Sequence, residues 1–174
     1  MQGLALTDPL TGLLNRRGFD QQMQRIGQGS LTGCTLLIVD IDHFKAINDA
    51  HGHLLGDKVI AAVAGVLRAC VGERGPIARI GGEEFAVLLG QTSTAGGAEL
   101  AERIRNSVER GKIRRADTDE SIGNVTVSIG VAGGNASEAF ESLMNRADQS
   151  LYQSKSAGRN RVTIAERPLP GMVA

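Results

Sequence analysis

The 174-residue sequence predicts a single α+β domain in which an antiparallel sheet is covered by helices. Three observations indicate this fold class. Apolar residues recur at helical spacing in four segments, short runs of β-forming residues separate these segments, and two of the runs flank a glycine-containing turn. Hydrophobic residues make up 41% of the chain and charged residues 22%, which is ordinary for a domain with a full core.

The first part of the chain is predicted to contain two helices and one buried strand. After a lead-in of turn-forming residues (3–17), apolar residues at helical spacing between 19 and 26 predict a short helix that ends near Gly27. Residues 34–39 form an almost wholly apolar run, which is typical of a central strand covered on both faces. Residues 55–70 carry an apolar stripe and predict an amphipathic helix.

The middle of the chain is predicted to form a hairpin followed by a helix. Residues 77–80 and 85–89 are short strands that flank the turn at residues 81–84. Apolar residues at helical spacing between 100 and 108 mark the next helix. We expect the polar stretch that follows, residues 112–124, to form an additional hairpin or excursion.

The last part is predicted to add a strand, a helix and a closing strand. Residues 125–132 alternate as a strand does, and residues 140–151 have the spacing of a helix that ends near Gly158. Residues 162–164 are short and β-forming, which allows a final strand. We therefore place one domain at residues 1–165 and expect a loose tail at 166–174.

The order of these elements favours one topology. A helix is followed by β-α-β-β-α-β, and right-handed crossovers then favour the ferredoxin-like split arrangement, with helices on one face of the sheet. In that arrangement the first strand lies beside the third and antiparallel to it. The end of the first strand, Asp40, is therefore expected to lie next to Glu83 and Glu84.

This convergence of acids predicts a cation site. The first strand is apolar up to Val39 and then presents Asp40 and Asp42, while the turn carries Glu83 and Glu84. Grouped carboxylates repel one another and raise one another's pKa unless a cation neutralises them. Mg²⁺ prefers such hard oxygen ligands and commonly bridges carboxylates to the phosphates of a nucleotide.

The turn itself is ambiguous when taken alone. A Gly-Gly-Glu-Glu sequence is usually a solvated hairpin. Gly81 and Gly82 would, however, allow the backbone to approach a ligand closely or to adopt a positive φ. The position of the turn beside Asp40 favours the interpretation as a ligand site.

Several separated motifs follow one another along most of the chain. They are Thr7-Asp8-Pro9-Leu10-Thr11-Gly12-Leu13-Leu14-Asn15-Arg16, Asp40-Ile41-Asp42-His43-Phe44-Lys45-Ala46-Ile47-Asn48-Asp49, Gly52-His53, Gly56-Asp57, Gly81-Gly82-Glu83-Glu84-Phe85, and Lys155 with Gly158-Arg159-Asn160. Together these motifs resemble the GGDEF family, whose members are diguanylate cyclase domains. The match runs in order from about residue 4 to residue 162, and the turn is the Glu-Glu variant of the family motif.

The resemblance implies a metal site and three catalytic residues. Asp40, Glu83 and Glu84 would bind two Mg²⁺ or Mn²⁺ ions per active site, together with the backbone carbonyl of Ile41. Asp40, Glu83 and Lys155 would be catalytic. Glu83 would assist deprotonation of the attacking hydroxyl, with a metal-bound hydroxide as the alternative base.

The resemblance also implies how GTP is held. Asn48 and Asp57 would read the guanine edge, since Asp57 can accept from a ring N–H and an exocyclic amine that adenine does not present together. Lys45, Lys155 and Arg159 would hold the triphosphate through charge-assisted hydrogen bonds.

Further substrate contacts are expected from backbone and loop positions. The backbone amides of His43 and Phe44 would face phosphate, and Gly81 and Gly82 would line the site. His53 either contacts substrate or supports its loop.

Three charged residues near the site are expected to have structural roles. Asp42 and Asp49 would orient the loop and cap the following turn rather than bind metal. Arg79, which precedes the turn, would pair with an acid.

The implied reaction is attack of a 3′-hydroxyl of one GTP on the α-phosphorus of a second, performed twice, which gives cyclic di-GMP and pyrophosphate. Because one domain holds one GTP, two copies would meet with two-fold symmetry. A module that binds GTP or cyclic di-GMP without turnover is the alternative. An ATP-using cyclase or a relative of polymerase palms is a third possibility, against which Asp57 and Asn48 argue.

One family feature is missing. Many relatives carry an Arg-x-x-Asp pair before the turn that binds product and inhibits. Gly72 and Gly75 occupy the two positions here, so no inhibitory product site is expected.

Charge and composition exclude other classes. Basic and acidic residues number 19 each, so neither nucleic acid nor a membrane surface is expected as a partner. No apolar run approaches the length of a membrane span, and the sequence shows no signal-peptide pattern. Cys34 and Cys70 are expected to be buried thiols, and these observations together favour a cytoplasmic location. An upstream sensory or regulatory region is expected in the full-length protein.

Overall fold

The computed structural model describes residues 4–27, 29–111 and 124–166, and these parts of the chain contain five helices and five strands. The helices are α1 Arg16–Gly27, α2 Phe44–His51, α3 His53–Val71, α4 Thr94–Arg110 and α5 Phe140–Ser156. The strands are β1 Thr35–Ile41, β2 Ile77–Arg79, β3 Glu84–Leu89, β4 Val127–Gly133 and β5 Val162–Ile164. They follow one another along the chain in the order α1-β1-α2-α3-β2-β3-α4-β4-α5-β5. The fold class predicted from the sequence is confirmed.

The strands form one sheet in the order β2-β3-β1-β4-β5. β1 is antiparallel to both β3 and β4, and β5 adds parallel to β4 at the edge. The predicted split topology is therefore confirmed. β1 runs two residues beyond the predicted end because Asp40 and Ile41 still pair with β4, and Asp40 also pairs with β3.

The expectation of helices on one face of the sheet is wrong. Successive side chains of a strand point to opposite faces, and β1 is apolar on both. Leu37 and Val39 pack in a cluster with α3 and α4, whereas Leu36 and Ile38 pack in a second cluster with α1 and α5. The continuous apolar run of β1 is the sequence signal for this two-sided cover.

A short helix, α2, was not foreseen from the sequence. It follows β1 directly and is separated from α3 by Gly52. Its apolar residues Phe44 and Ile47 lie half-buried against the α3 side of the core. The helix therefore carries the 43–49 segment from the end of β1 towards the start of α3.

Three sequence expectations concern other parts of the chain. Cys34 and Cys70 are free thiols but half-buried, not buried as expected. Most of the expected hairpin at 112–124 and of the tail at 166–174 lies outside the described residues. None of the described helices is both long and apolar enough to cross a membrane.

Candidate functional site

The end of β1 and the start of β3 bring the predicted acids together. Asp40 lies directly opposite Glu84 in the antiparallel register. The backbone N–H of Ile41 donates to the carbonyl oxygen of Glu83 at 3.2 Å. The convergence predicted from topology is confirmed, because residues more than forty positions apart become neighbours where β1 ends and β3 begins. We refer to this line of strand ends as one edge of the sheet.

Asp40 is a buried carboxylate with one cationic partner. It is 7% exposed, and the Nζ of Lys155 donates to its Oδ2 at 2.8 Å. Burial raises the pKa of Asp40, and the charges of Glu83 and Asp42 raise it further, while Lys155 lowers it without cancelling the shift. The ionised form of Asp40 is therefore destabilised chiefly by burial, which Lys155 offsets only in part.

The pKa of Glu84 is raised as well. Its pKa is raised by burial first, and then by the negative charges of Asp148 and Asp40. Lys155 and Arg16 act in the opposite sense but do not reverse the shift. Negative charge thus exceeds its compensation at this edge of the sheet, which is the electrostatic setting that a divalent cation would relieve.

The donor chemistry fits a hard divalent ion, but the ligands are not preassembled. Asp40, Glu83 and Glu84 offer carboxylate oxygens, and Ile41 offers a carbonyl oxygen beside them. Among the residues that the structure describes, no three acidic, histidine or cysteine side chains already surround a common point. One oxygen of Asp40 is held by Lys155. Side-chain rotation would therefore have to complete the site.

The glycines of the turn are not explained by the fold. Neither Gly81 nor Gly82 has a positive φ, so that part of the expectation is wrong. A Cβ at Gly82 would meet nothing within 4 Å, and one at Gly81 would make an ordinary contact of 3.4 Å with Glu84. Both glycines are exposed. The protein itself leaves this space open, which agrees with a ligand approaching the backbone here.

Arg79 pairs with an acid, as expected, and also clamps the turn. Its Nη1 donates to Oδ1 of Asp8 at 3.1 Å, while Nε and Nη2 donate to the carbonyl oxygen of Gly82 at 3.1 and 2.8 Å. Burial tends to raise the pKa of Asp8, but hydrogen bonds from Thr11 and the charge of Arg79 outweigh it and lower that pKa. The N-terminal motif is thereby joined to the turn, a role that the sequence did not indicate.

Asp42 has the structural role expected of it, but by a different route. It is 4% exposed and accepts from Oγ1 of Thr126 and Oγ of Ser128, both at 2.7 Å, and from the backbone N–H of Asn160 at 3.0 Å. It caps no helix, since α2 begins at a left-handed His43 without a side-chain cap. Asp42 instead joins β1, β4 and the 159–160 loop.

The predicted guanine-reading residues lie on α2 and α3. Asn48 is half-buried, and its Oδ1 is buried without a hydrogen-bond partner among the described residues. Such an atom costs about 1–3 kcal/mol when it stays unsatisfied. Asp57 is exposed near the start of α3, as is His53. The structure therefore places a recessed amide and an accessible carboxylate on adjoining helices.

The predicted phosphate-holding cations occupy separate elements. Lys155, in the last turn of α5, lies on Asp40, and Arg159 is exposed in a left-handed conformation just beyond it. Lys45 is exposed in the first turn of α2, next to the half-buried Phe44 and the exposed His43. Their roles towards phosphate stay predictions.

Three residues around this edge had no role assigned from the sequence, although two of them, Arg16 and Asn160, belong to the motifs that carry the resemblance. Asp148 raises the pKa of Glu84, Arg16 lowers it, and Asn160 binds Asp42 through its backbone. The spacing of Asp148 and Lys155 was an available signal, since residues seven apart share one face of a helix.

Between α1 and α5 lies a cavity of about 760 Å³, which Arg16 and Asp148 help to line and which contains none of the predicted site residues.

The fold is an α+β domain in which a five-stranded mixed sheet lies between two layers of helices. Comparison with known proteins gives the family. The model of the diguanylate cyclase GGDEF domain matches residues 5–161, and the chain belongs to this family. The resemblance inferred from the motifs is confirmed.

Three similar proteins illustrate the relationship. Diguanylate cyclase DgcP of Pseudomonas aeruginosa is 44% identical over 92% of this chain, and diguanylate cyclase VdcA of Vibrio cholerae is 40% identical over 91%. The chain spans only 24% and 46% of the lengths of these two relatives. The crystal structure of the GGDEF domain of DgcB from Caulobacter crescentus, in complex with c-di-GMP, superposes with a TM-score of 0.90 at 41% identity, covering 96% of this chain and 99% of that one.

Proposed function

We propose that this chain is an active diguanylate cyclase that condenses two GTP molecules into cyclic di-GMP and pyrophosphate at the interface of two copies. The observation that carries the proposal is the opposition of Asp40 and Glu84 across β1 and β3, with both pKa values raised. The membership of this chain in the diguanylate cyclase GGDEF family supports the same function.

Asp40, Glu83, Glu84 and the carbonyl oxygen of Ile41 would hold Mg²⁺ or Mn²⁺, two ions per active site. When bound, the ions would lower the cost of the negative charge that develops on the reacting phosphoryl group and on the leaving pyrophosphate. Lys155 neutralises part of the charge of Asp40. Rotation of Asp40 away from Lys155 would free that ammonium for the triphosphate.

The remaining groups bind and orient GTP. Asp57 would accept hydrogen bonds from the ring N–H and the amino group of guanine, and Asn48 would contact the same base. Lys45, Lys155 and Arg159 would hold the phosphates. Glu83, next to the open glycine turn, would accept the proton of the attacking 3′-hydroxyl.

Two copies are required because each site holds one GTP, and a 3′-hydroxyl must reach the α-phosphorus of the GTP on the other copy. Product formation should therefore rise more steeply than linearly with protein concentration. The glycines at positions 72 and 75 leave no Arg-x-x-Asp pair, so inhibition by product through that pair is not expected.

The test is to incubate the purified chain with GTP and Mg²⁺ and to detect cyclic di-GMP by mass. Asp40→Asn and Glu83→Gln should each abolish product, while Asp49→Asn, on the exposed side of α2, should not. ATP should give no product. If the chain is shown to dimerise and binds GTP without turnover, the proposed enzymatic activity is refuted. The alternative function, a module that binds GTP or cyclic di-GMP without turnover, would then remain.

A further inference from the structure

Gly56 lies where a side chain would displace the amide of Asn48. It stands in the first turns of α3, where its backbone N–H donates to the carbonyl oxygen of Gly52 at 3.2 Å and its φ is not positive. The backbone would therefore accept any ordinary helix-forming residue. Glycine is not required by the conformation of the chain at this position.

The side chain of Asn48 fills the space that residue 56 leaves. A Cβ at position 56 would overlap Oδ1 of Asn48, and it would lie 3.0 Å from Cγ of Asn48 and 3.2 Å from Cζ of Phe44. The same Oδ1 is buried and accepts no hydrogen bond from the described residues. Within the described part of the chain, the carbonyl end of the amide is thus positioned by packing against the backbone of α3 and not by a hydrogen bond.

We infer that Gly56 is a positioning residue for guanine recognition, which acts through Asn48. The inference rests on the proposed function, because it takes a guanine nucleotide as the ligand. With its carbonyl end seated against Gly56, the amide of Asn48 has one recessed orientation. A methyl group at position 56 would push that amide out, since it is the movable end of a side chain, and would remove its contact with the base.

A matched control lies on the same helix. Gly65 is exposed in the middle of α3, and a Cβ there would meet nothing within 4 Å. Gly56→Ala and Gly65→Ala make the same chemical change and favour the helix in the same way. They differ in the contact with Asn48, so a difference between them reports on that contact.

The experiment measures binding of 3′-deoxy-GTP, which lacks the attacking hydroxyl and cannot turn over, by calorimetry with Mg²⁺. Gly56→Ala should weaken binding about three- to tenfold, the effect of losing one neutral hydrogen bond. Gly65→Ala should stay within about twofold of the unsubstituted chain. In the Asn48→Ala background, Gly56→Ala should cause no further loss, because the group that it displaces is gone.

A second readout does not need nucleotide. The NMR signals of the Asn48 side-chain amide should shift in Gly56→Ala and not in Gly65→Ala. Unchanged affinity in Gly56→Ala, or an equal loss with and without Asn48, would overturn the inference while leaving the proposed function intact. Failure of the unsubstituted chain to bind 3′-deoxy-GTP would instead overturn the proposed function, and the role of Gly56 at the base with it.

Discussion

Replacing Asp42 with asparagine tests whether this buried carboxylate holds the site together. Asp42 accepts three hydrogen bonds, from Thr126, Ser128 and the backbone N–H of Asn160. Thr126 and the backbone N–H of Asn160 both donate to Oδ2, whereas Ser128 donates to Oδ1. Asparagine keeps one acceptor oxygen and places an N–H donor at the other position. In one orientation Ser128 therefore loses its acceptor, and in the other orientation Thr126 and the N–H of Asn160 lose theirs.

The magnitude follows from those contacts. A hydrogen bond to a charged group contributes about 1.5–3 kcal/mol, and an unsatisfied buried donor costs about 1–3 kcal/mol. Since the bonds share one carboxylate, their effects do not add fully. We therefore expect Asp42→Asn to lower the free energy of unfolding by about 3 kcal/mol, which corresponds to roughly 6–12 °C in Tm for a domain of this size.

The assay is urea denaturation followed by circular dichroism, with Asp49→Asn as the control. Asp49 is an exposed aspartate of α2, seven positions along the chain. It makes none of the capping contacts expected for it with the described residues, so the control makes the same chemical change at an exposed site. It should change the free energy of unfolding by less than about 0.5 kcal/mol. A loss below that value in Asp42→Asn as well would refute the stabilising role of this network.

Three further predictions concern charge. Glu84→Gln should raise Tm at pH 7, because the raised pKa of Glu84 means that its ionised carboxylate destabilises the fold. The gain in Tm should vanish in acid, where Glu84 is protonated in both the folded and the unfolded state. Added Mg²⁺ should stabilise the unsubstituted chain more than the variant. Arg79→Gln and Asp8→Asn should each reduce cyclic di-GMP formation, and the double variant should be little worse than either alone; additive losses would show that the pair does not act as a unit. Glu138→Gln should lower the free energy of unfolding by about 3–5 kcal/mol in thermal or urea unfolding, since Arg146 would lose the partner of a buried ion pair. In the unsubstituted chain, the lowered pKa of Glu138 means that the ion pair stabilises the fold at neutral pH and that this stabilisation is lost as pH falls through that pKa. An unchanged Tm in Glu138→Gln would contradict the stabilising role of the ion pair.

Much of the fold was readable from local pattern. The apolar run before Asp40 predicted a central strand, and the spacing of apolar residues after Leu55 predicted α3. Periodicity reports burial, and burial of each element is largely a local property of the sequence. Chain order and the handedness of crossovers were then enough to place Asp40 beside Glu84.

Other features depended on contacts between distant parts of the chain. The pairing of Arg79 with Asp8 joins residues that are 71 positions apart, and the bonds of Asp42 to Ser128 and Asn160 span 86 and 118 positions. No periodic pattern records which of many polar residues will meet across such separations.

The sequence alone determined the family, the strand that carries Asp40 and the turn that carries Glu83 and Glu84, because these depend on local motifs and on burial. Only the tertiary structure decided which helices cover each face of the sheet, that Arg79 holds the turn, and that Asn48 rests against Gly56. The physical reason is that these features are set by close packing between elements, where a single methyl group or one hydrogen-bond distance decides the outcome.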